Sequence, residues 1–239
     1  YANRMERMVG SLADSLRAFE AAPKLLIGTG DDTTHLLIVA TSDRGLCGGF
    51  NSTIVRATKA RLRSLAADGK KAKIICIGRK GHLQLRREYG SIILAAIPGP
   101  SKGNVTFKNA EDITNRIVAL FEEGAFDVCT VIYNKFISAI SQEVIERQLI
   151  PFPASEEEDG KADGLDATYE YEPEEELLLA HLLPENLGVQ IYRALLENAA
   201  SEQGSRMAAM DNATRNAGDL IDQLKLSYNR TRQAYITKE

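Results

Sequence analysis

The last quarter of the chain, from Pro184 to Glu239, carries a helical pattern that no second proline breaks. Toward its far end Met210, Thr214, Ala217, Ile221, Leu224, Tyr228, Thr231 and Tyr235 follow one another in steps of four and three. That alternation averages about 3.5 residues, the heptad period that keeps one helical seam turned toward a partner helix. At 1.5 Å per residue such a helix runs on the order of 80 Å. The globular remainder, roughly 150 residues, should span only about 40 Å. Much of the helix must therefore project into solvent or into another protein.

The other end of the chain repeats the pattern. Tyr1, Met5, Met8, Leu12, Ser15 and Phe19 again step by four and three. Two seams at opposite ends predict an antiparallel coiled coil closed within the molecule, built from an N-terminal helix over 1–22 and a C-terminal helix over 184–239. The alternative is that the first seam packs on the globular core. The N-terminal helix reaches only about 30 Å, so it can line only part of its partner. The chain begins without Met, and nothing before Tyr1 resembles an N-cap. The expectation is a fragment, or a long helix whose remainder is bound by another subunit.

Between the seams, over 23–183, strand and helix patterns alternate. His35–Thr41, Ala72–Ile77, Ser91–Ile97 and Asp127–Tyr133 read as buried strands, with a fifth over Ser141–Ile150. Asn51–Ala67, Lys80–Tyr89 and Asp112–Glu123 read as helices, the first and third closed by Asp68-Gly69 and Gly124 and the second by Gly90. This order predicts an α/β domain with a mostly parallel, Rossmann-like sheet and helices on its faces. Residues 155–171 are acidic, contain glycine and have few apolar positions, so they read as an exposed loop.

The net charge of −4 conceals a polarised distribution. Residues 156–176 hold eleven acidic side chains against Lys161, which leaves a basic surplus elsewhere, around Arg56–Lys73, Arg79–Arg87 and Lys225–Lys238. No aromatic-studded RNA motif or recognition helix accompanies the basic stretches, so an acidic protein partner fits them better than nucleic acid. No apolar run approaches the roughly 18 residues of a membrane span, so no direct span is expected. Cys47, Cys76 and Cys129 are far apart in sequence, and the last two lie in apolar runs as buried thiols, a usage that fits a reducing compartment.

One stretch is dense enough to carry chemistry: SDRGLCGGFN, Ser42–Asn51, between the first strand and the first helix of the middle region. An α/β protein places a phosphate-binding turn there. The spacing matches neither G-x-G-x-x-G nor G-x-x-x-x-G-K-[ST], which leaves a nucleotide-binding enzyme with a dimerising coiled coil as the alternative function. Cys47 could be a nucleophile at a helix N-terminus, but it would need a base from His35, His82 or His181, none placed near it by any motif. Other readings are a tight structural turn, a loop that touches a protein partner, and an adaptor whose coil captures an unrelated helix. No cluster has metal-ligand spacing, and no cofactor is expected.

Taken together, Ser42–Asn51, the run EQGSRMAAMDNATRNA from Glu202 to Ala217, LSYNRTRQA from Leu226 to Ala234 and ITKE at the end resemble the gamma subunit of F-type ATP synthase. PENLGVQIYRALL, Pro184–Leu196, is similar to that family too, and the resemblance runs through the chain in order. It implies a central rotor stalk, present as a single copy and itself non-catalytic. The N- and C-terminal helices would turn as a coiled coil inside the alpha and beta subunits of the catalytic hexamer and bias their conformations in sequence. It also implies that family members extend beyond both ends of this sequence, and that the lower face of the α/β domain meets an epsilon-type subunit and the membrane c-ring, with the helix around Arg79–Arg87 as one candidate. Arg232, Gln233 and Thr237 would sit where the shaft meets catalytic-subunit loops, Arg206 and Met207 lower down, and Asp43, Arg44 and Cys47 in a loop facing a catalytic subunit. The family's plant-type redox switch uses a close cysteine pair that is not found here. The expected location is the cytoplasmic face of a bacterial inner membrane, with the matrix side of the mitochondrial inner membrane as the alternative.

Overall fold

The computed structural model describes residues 23–100, 104–153 and 175–238. The expected N-terminal coiled-coil helix over 1–22, the acidic loop over 155–171 and Glu239 lie outside the described residues. Along the described chain the order is α1 (Lys24–Ile27), β1 (Thr34–Ala40), α2 (Phe50–Ala67), β2 (Lys71–Ile77), α3 (Arg79–Tyr89), β3 (Ile93–Ile97), α4 (Phe107–Glu122), β4 (Val128–Phe136), β5 (Gln142–Ile150) and α5 (Glu175–Lys238). The strands form one sheet in the order β3-β2-β1-β4-β5. β1 pairs in parallel with β2 (His35 opposite Ala72) and with β4 (His35 opposite Val128), and β3 pairs in parallel with β2. Only β5 runs antiparallel, as the return arm of a hairpin with β4.

The apolar run THLLIVA fits this position because β1 is central and covered on both faces. Leu36, Ile38 and Ala40 enter a core completed by Ile113, Ile117 and Phe121 of α4 and by Leu187, Ile191 and Leu195 of α5. Leu37 and Val39 enter the opposite core with Ile54, Leu62 and Leu65 of α2 and Leu85 of α3. Period-2 alternation thus feeds two hydrophobic layers from one strand. Cys76 and Cys129 are buried free thiols on β2 and β4. Desolvation pushes the Cys76 thiol up to about 11 and raises Cys129 as well.

Several boundaries differ from the sequence pattern. α4 begins at Phe107, five residues before the expected Asp112, because Asn109 Oδ1 accepts the backbone N–H of Thr106 at 3.0 Å and its hydroxyl at 2.8 Å. This is an asparagine form of the reciprocal N-terminal cap, and a search for Glu or Gln at that position passes over it. β3 starts at Ile93 after a 3-10 turn over Gly90–Ile92, and β4 continues to Phe136. α5 starts at Glu175 and carries Pro184 in its interior, where the pattern placed the proline at the helix start.

α5 has two halves with different surroundings. Between Leu183 and Gly204 it buries Leu187, Ile191, Ala194, Asn198 and Ser201 against α4 and the β4–β5 hairpin. From residue 211 to 238 every position is exposed. The whole helix holds 64 residues, or about 96 Å at 1.5 Å per residue, and its exposed end accounts for roughly 40 Å of that. Among the described residues no helix is long and apolar enough to cross a membrane.

Candidate partner interface: the shaft and the loops at its base

The carboxyl ends of β1, β2 and β3 are laced together by short polar contacts. Thr41 donates its N–H to Ile77 O at 2.8 Å, and its hydroxyl donates to the same carbonyl at 2.9 Å. That hydroxyl also accepts the Gly81 N–H at 2.9 Å. Gly78 at φ +90° is required here, since a Cβ would lie 2.2 Å from Thr41 O. Two residues beyond Thr41, Asp43 Oδ1 accepts the N–H groups of Arg79 at 2.9 Å and Gly99 at 3.1 Å. The loop's return is fixed by Asn51, whose Oδ1 accepts the Ser42 N–H at 3.0 Å and whose amide lies 3.2 Å from Cys47 Sγ. Cys47 is 2% exposed. Leu46, by contrast, is 76% exposed at φ +62°, a conformation uncommon for a branched side chain. Arg44 is exposed beside it.

This geometry bears on the other readings of the motif. A phosphate turn offers free backbone N–H groups to its ligand, but those of Ser42, Arg79 and Gly99 are already bonded to side-chain carboxyl or amide oxygens. An open cleft of about 770 Å³ does lie at this edge of the sheet, with Asp43, Arg44, Arg79, Glu202 and Arg206 in its walls. A nucleotide-binding function is not favoured. His35 sits at the amino end of β1, on the order of 20 Å along the strand from Cys47, where its Nε2 lies 2.6 Å from Asp32. His82 lies on α3. Among the described residues no group of three or more His, Cys, Asp and Glu could hold a metal ion.

Two loops clasp α5 at the same level. Gly48 of the β1–α2 loop lies against Ala209, where a Cβ on the glycine would be 3.7 Å from the alanine Cβ. The tip of the β4–β5 hairpin approaches Gly204, where a Cβ would meet Ala139 O at 2.9 Å. Below that contact, Asn198 Oδ1 accepts the Asn134 N–H at 3.2 Å and the Ser201 hydroxyl donates to Asn134 O at 3.0 Å. Ser205 completes the row by donating to Gln142 Oε1 at 2.9 Å. Sequence reasoning did not single out Asn134, Gln142, Asn198, Ser201 or Ser205. A signal existed: Asn198, Ser201 and Ser205 recur at helical spacing along a face whose earlier positions are apolar.

The structure lines one cleft at the base of the shaft with Asp43, Arg44 and Arg206, while Cys47 is buried in the core under the same loop and Met207 follows Arg206 on the helix. Arg206 is tied along its own helix to Glu202 and Gln203, and Met207 is exposed. Arg232, Gln233 and Thr237 stand apart near the tip, roughly 40 Å up the helix axis from Arg206. The Thr237 hydroxyl bonds back to Gln233 O at 2.7 Å. On the seam Thr214 and Thr231 do the same to Met210 O and Ser227 O, both at 2.9 Å, which satisfies their hydroxyls locally. Leu224 at 60% and Tyr235 at 73% exposure show how open the seam is among the described residues.

A family model described as ATP synthase matches residues 1–239. The ATP synthase gamma chain of Paramagnetospirillum magneticum is 54% identical over 239 residues, which is all of this chain and 81% of that protein. The gamma chain of Rhodospirillum rubrum is 51% identical over 244 residues and is covered to 82%. Among solved structures, the central stalk and c-ring of the Tetrahymena thermophila mitochondrial ATP synthase includes a chain 27% identical at a TM-score of 0.61, covering 89% of this chain and 99% of its own. A rotor chain of the Euglena gracilis mitochondrial ATP synthase, 18% identical, shares the fold at a TM-score of 0.67, covering 98% of this chain and 92% of its own. With a long exposed helix carried by a mostly parallel α/β domain, the chain belongs to the ATP synthase gamma-chain family, the central stalk subunits of F-type ATP synthase.

Proposed function

We propose that this chain is the non-catalytic rotating shaft that couples c-ring rotation to the conformations of the catalytic beta subunits, as a single copy inside the alpha-beta hexamer. The observation that carries this reading is the unbroken exposure of residues 211–238 along a heptad seam. So long an apolar seam left in water favours a partner, and a shaft that touches three chemically identical subunits differently can bias each one in turn. Arg232, Gln233 and Thr237 would meet catalytic-subunit loops near the tip, with Arg232 free to pair with a carboxylate. Arg206 and Met207 would act at the base beside Arg44, with Asp43 and Cys47 shaping that loop from behind. The lower face would meet an epsilon-type subunit and the c-ring, with exposed Arg86 and Arg87 of α3 as candidates. The complex would sit peripherally on the cytoplasmic face of a bacterial inner membrane.

The test is reconstitution with alpha and beta subunits. Arg232→Ala combined with Gln233→Ala should slow ATP-driven rotation on the order of tenfold, the effect of losing about 1.4 kcal/mol of contact energy. Folding of the isolated chain should not change, because both side chains are exposed. Failure of the wild-type chain to assemble with the ring would overturn the reading. So would micromolar nucleotide binding by the isolated chain at Asp43–Asn51.

A further inference from the structure

In open parallel α/β sheets the crevice beyond the carboxyl ends of the strands is where phosphates bind, held by backbone N–H groups and a helix N-terminus. Here those donors point inward to a side chain. Asp43 Oδ1 sits 2.9 Å from the N–H of Arg79, the first residue of α3, and 3.1 Å from the N–H of Gly99 after β3. Its second oxygen lies against Gly99, where a Cβ would stand 3.2 Å from Oδ2, so the glycine makes room for the carboxylate. Ser42 O takes the N–H of Lys80 at 3.0 Å, so the strand-end residues of β1 grip the α3 N-terminus twice. A carboxylate there also complements the positive end of the helix dipole.

We infer that Asp43 is an internal stand-in for a bound anion, and that it is a positioning residue for the partner-facing loop. Its carboxylate fixes the start of the loop, while Asn51, through the Ser42 N–H, fixes the return. Between these anchors Arg44 and Leu46 are held outward, Leu46 in a left-handed conformation that an untethered loop would relax. Gly48 faces Ala209 of the shaft with room for no more than a methyl between them. Asp43 thus acts through the geometry of Arg44 and Leu46, without meeting the partner itself. This role rests on the shaft reading above.

The experiment compares Asp43→Ala with Asp43→Asn, which keeps an oxygen acceptor without the charge. Amide exchange is followed in the full chain, and ATP-driven rotation in the complex reconstituted with alpha and beta subunits. Asp43→Ala should raise exchange at Arg79 and Gly99 at least tenfold and slow rotation several-fold, while Asp43→Asn should preserve most of both. Unchanged exchange at these amides in Asp43→Ala overturns the inference. Equal loss of rotation in the two variants also overturns it, because the carboxylate charge would then be the contact. If the wild-type chain fails to assemble with the ring, the shaft reading falls, and the exchange comparison still decides whether Asp43 ties the three turns.

Discussion

Asp127 governs the amino edge of the sheet much as Asp43 does the carboxyl edge. Its Oδ2 accepts the N–H groups of Thr33 at 3.1 Å and Thr34 at 2.9 Å and the Thr33 hydroxyl at 2.9 Å, and its Oδ1 accepts the Thr29 hydroxyl at 2.9 Å. Burial pushes this carboxyl up, but the hydrogen bonds from Thr34, Thr29 and Thr33 outweigh it and hold the group below the usual carboxylate range. A depressed carboxyl contributes stability that is fully present above its unfolded value, about 4, and is lost as pH falls through the lower folded value. Asp127→Asn should therefore cost on the order of 1 kcal/mol at pH 7. In urea titrations its deficit against the parent should shrink toward pH 2; an equal deficit at both pH values would assign the loss to shape. Little of this was legible beforehand. The sequence marks Asp127 only as a residue opening an apolar run, since its partners arrive from a loop some ninety positions earlier. The SDRGLCGGFN turn was legible as a site because its glycines are dense, but not which way each side chain faces. Burial of Cys47 and exposure of Leu46 depend on one left-handed backbone angle.

Elements were easier to read than their joints. β1 and β2 were located within one residue because a doubly covered strand is a continuous apolar run. α2 and α3 were likewise placed within one residue, as each closes on a glycine or an Asp-Gly pair. α5 was read as starting at Pro184 because proline favours a first helical turn, yet the helix runs through it from Glu175. Its inner half is therefore as much a core helix as a shaft. The far end of that half is polar: α5 is fastened to the β4–β5 hairpin by Asn198, Ser201 and Ser205, contacts between residues more than sixty positions apart. The helical spacing of these three marks a face of α5 but not the strand residues, Asn134 and Gln142, that the face meets. Asn198→Leu should leave the buried Asn134 N–H without its acceptor and cost about 1–3 kcal/mol. Thermal unfolding of the isolated chain measures that loss directly. If the bolt also transmits torque, ATP-driven rotation in the reconstituted complex should weaken beyond what the lower stability accounts for.

At the scale of the whole molecule, buried contacts occupy one end of α5 and exposed positions the other. Of the two hydrophobic cores, the one shared with α4 draws buried residues of α5 as far as Leu195, with Ala199 packed against it, and the polar fastening ends at Ser205. Beyond Asp211 the side-chain contacts run along the helix itself, such as Arg215 with Asp211 and Lys225 with Asp222, and exposed pairs of this kind contribute a few tenths of a kcal/mol each. Truncation after Leu220 removes a stretch in which every described residue is exposed and shortens the projecting end by nearly 30 Å. The α/β domain should then unfold at a temperature within about a degree or two of the parent, because no buried contact is lost. Rotation and ATP synthesis in the reconstituted complex should fall severely, because Arg232, Gln233 and Thr237 are gone. A truncated chain that unfolds much earlier would mean that the tip supports the domain through contacts absent from the described residues. One that folds and still couples fully would confine the working contacts to the base of the shaft, around Arg44, Arg206 and Met207.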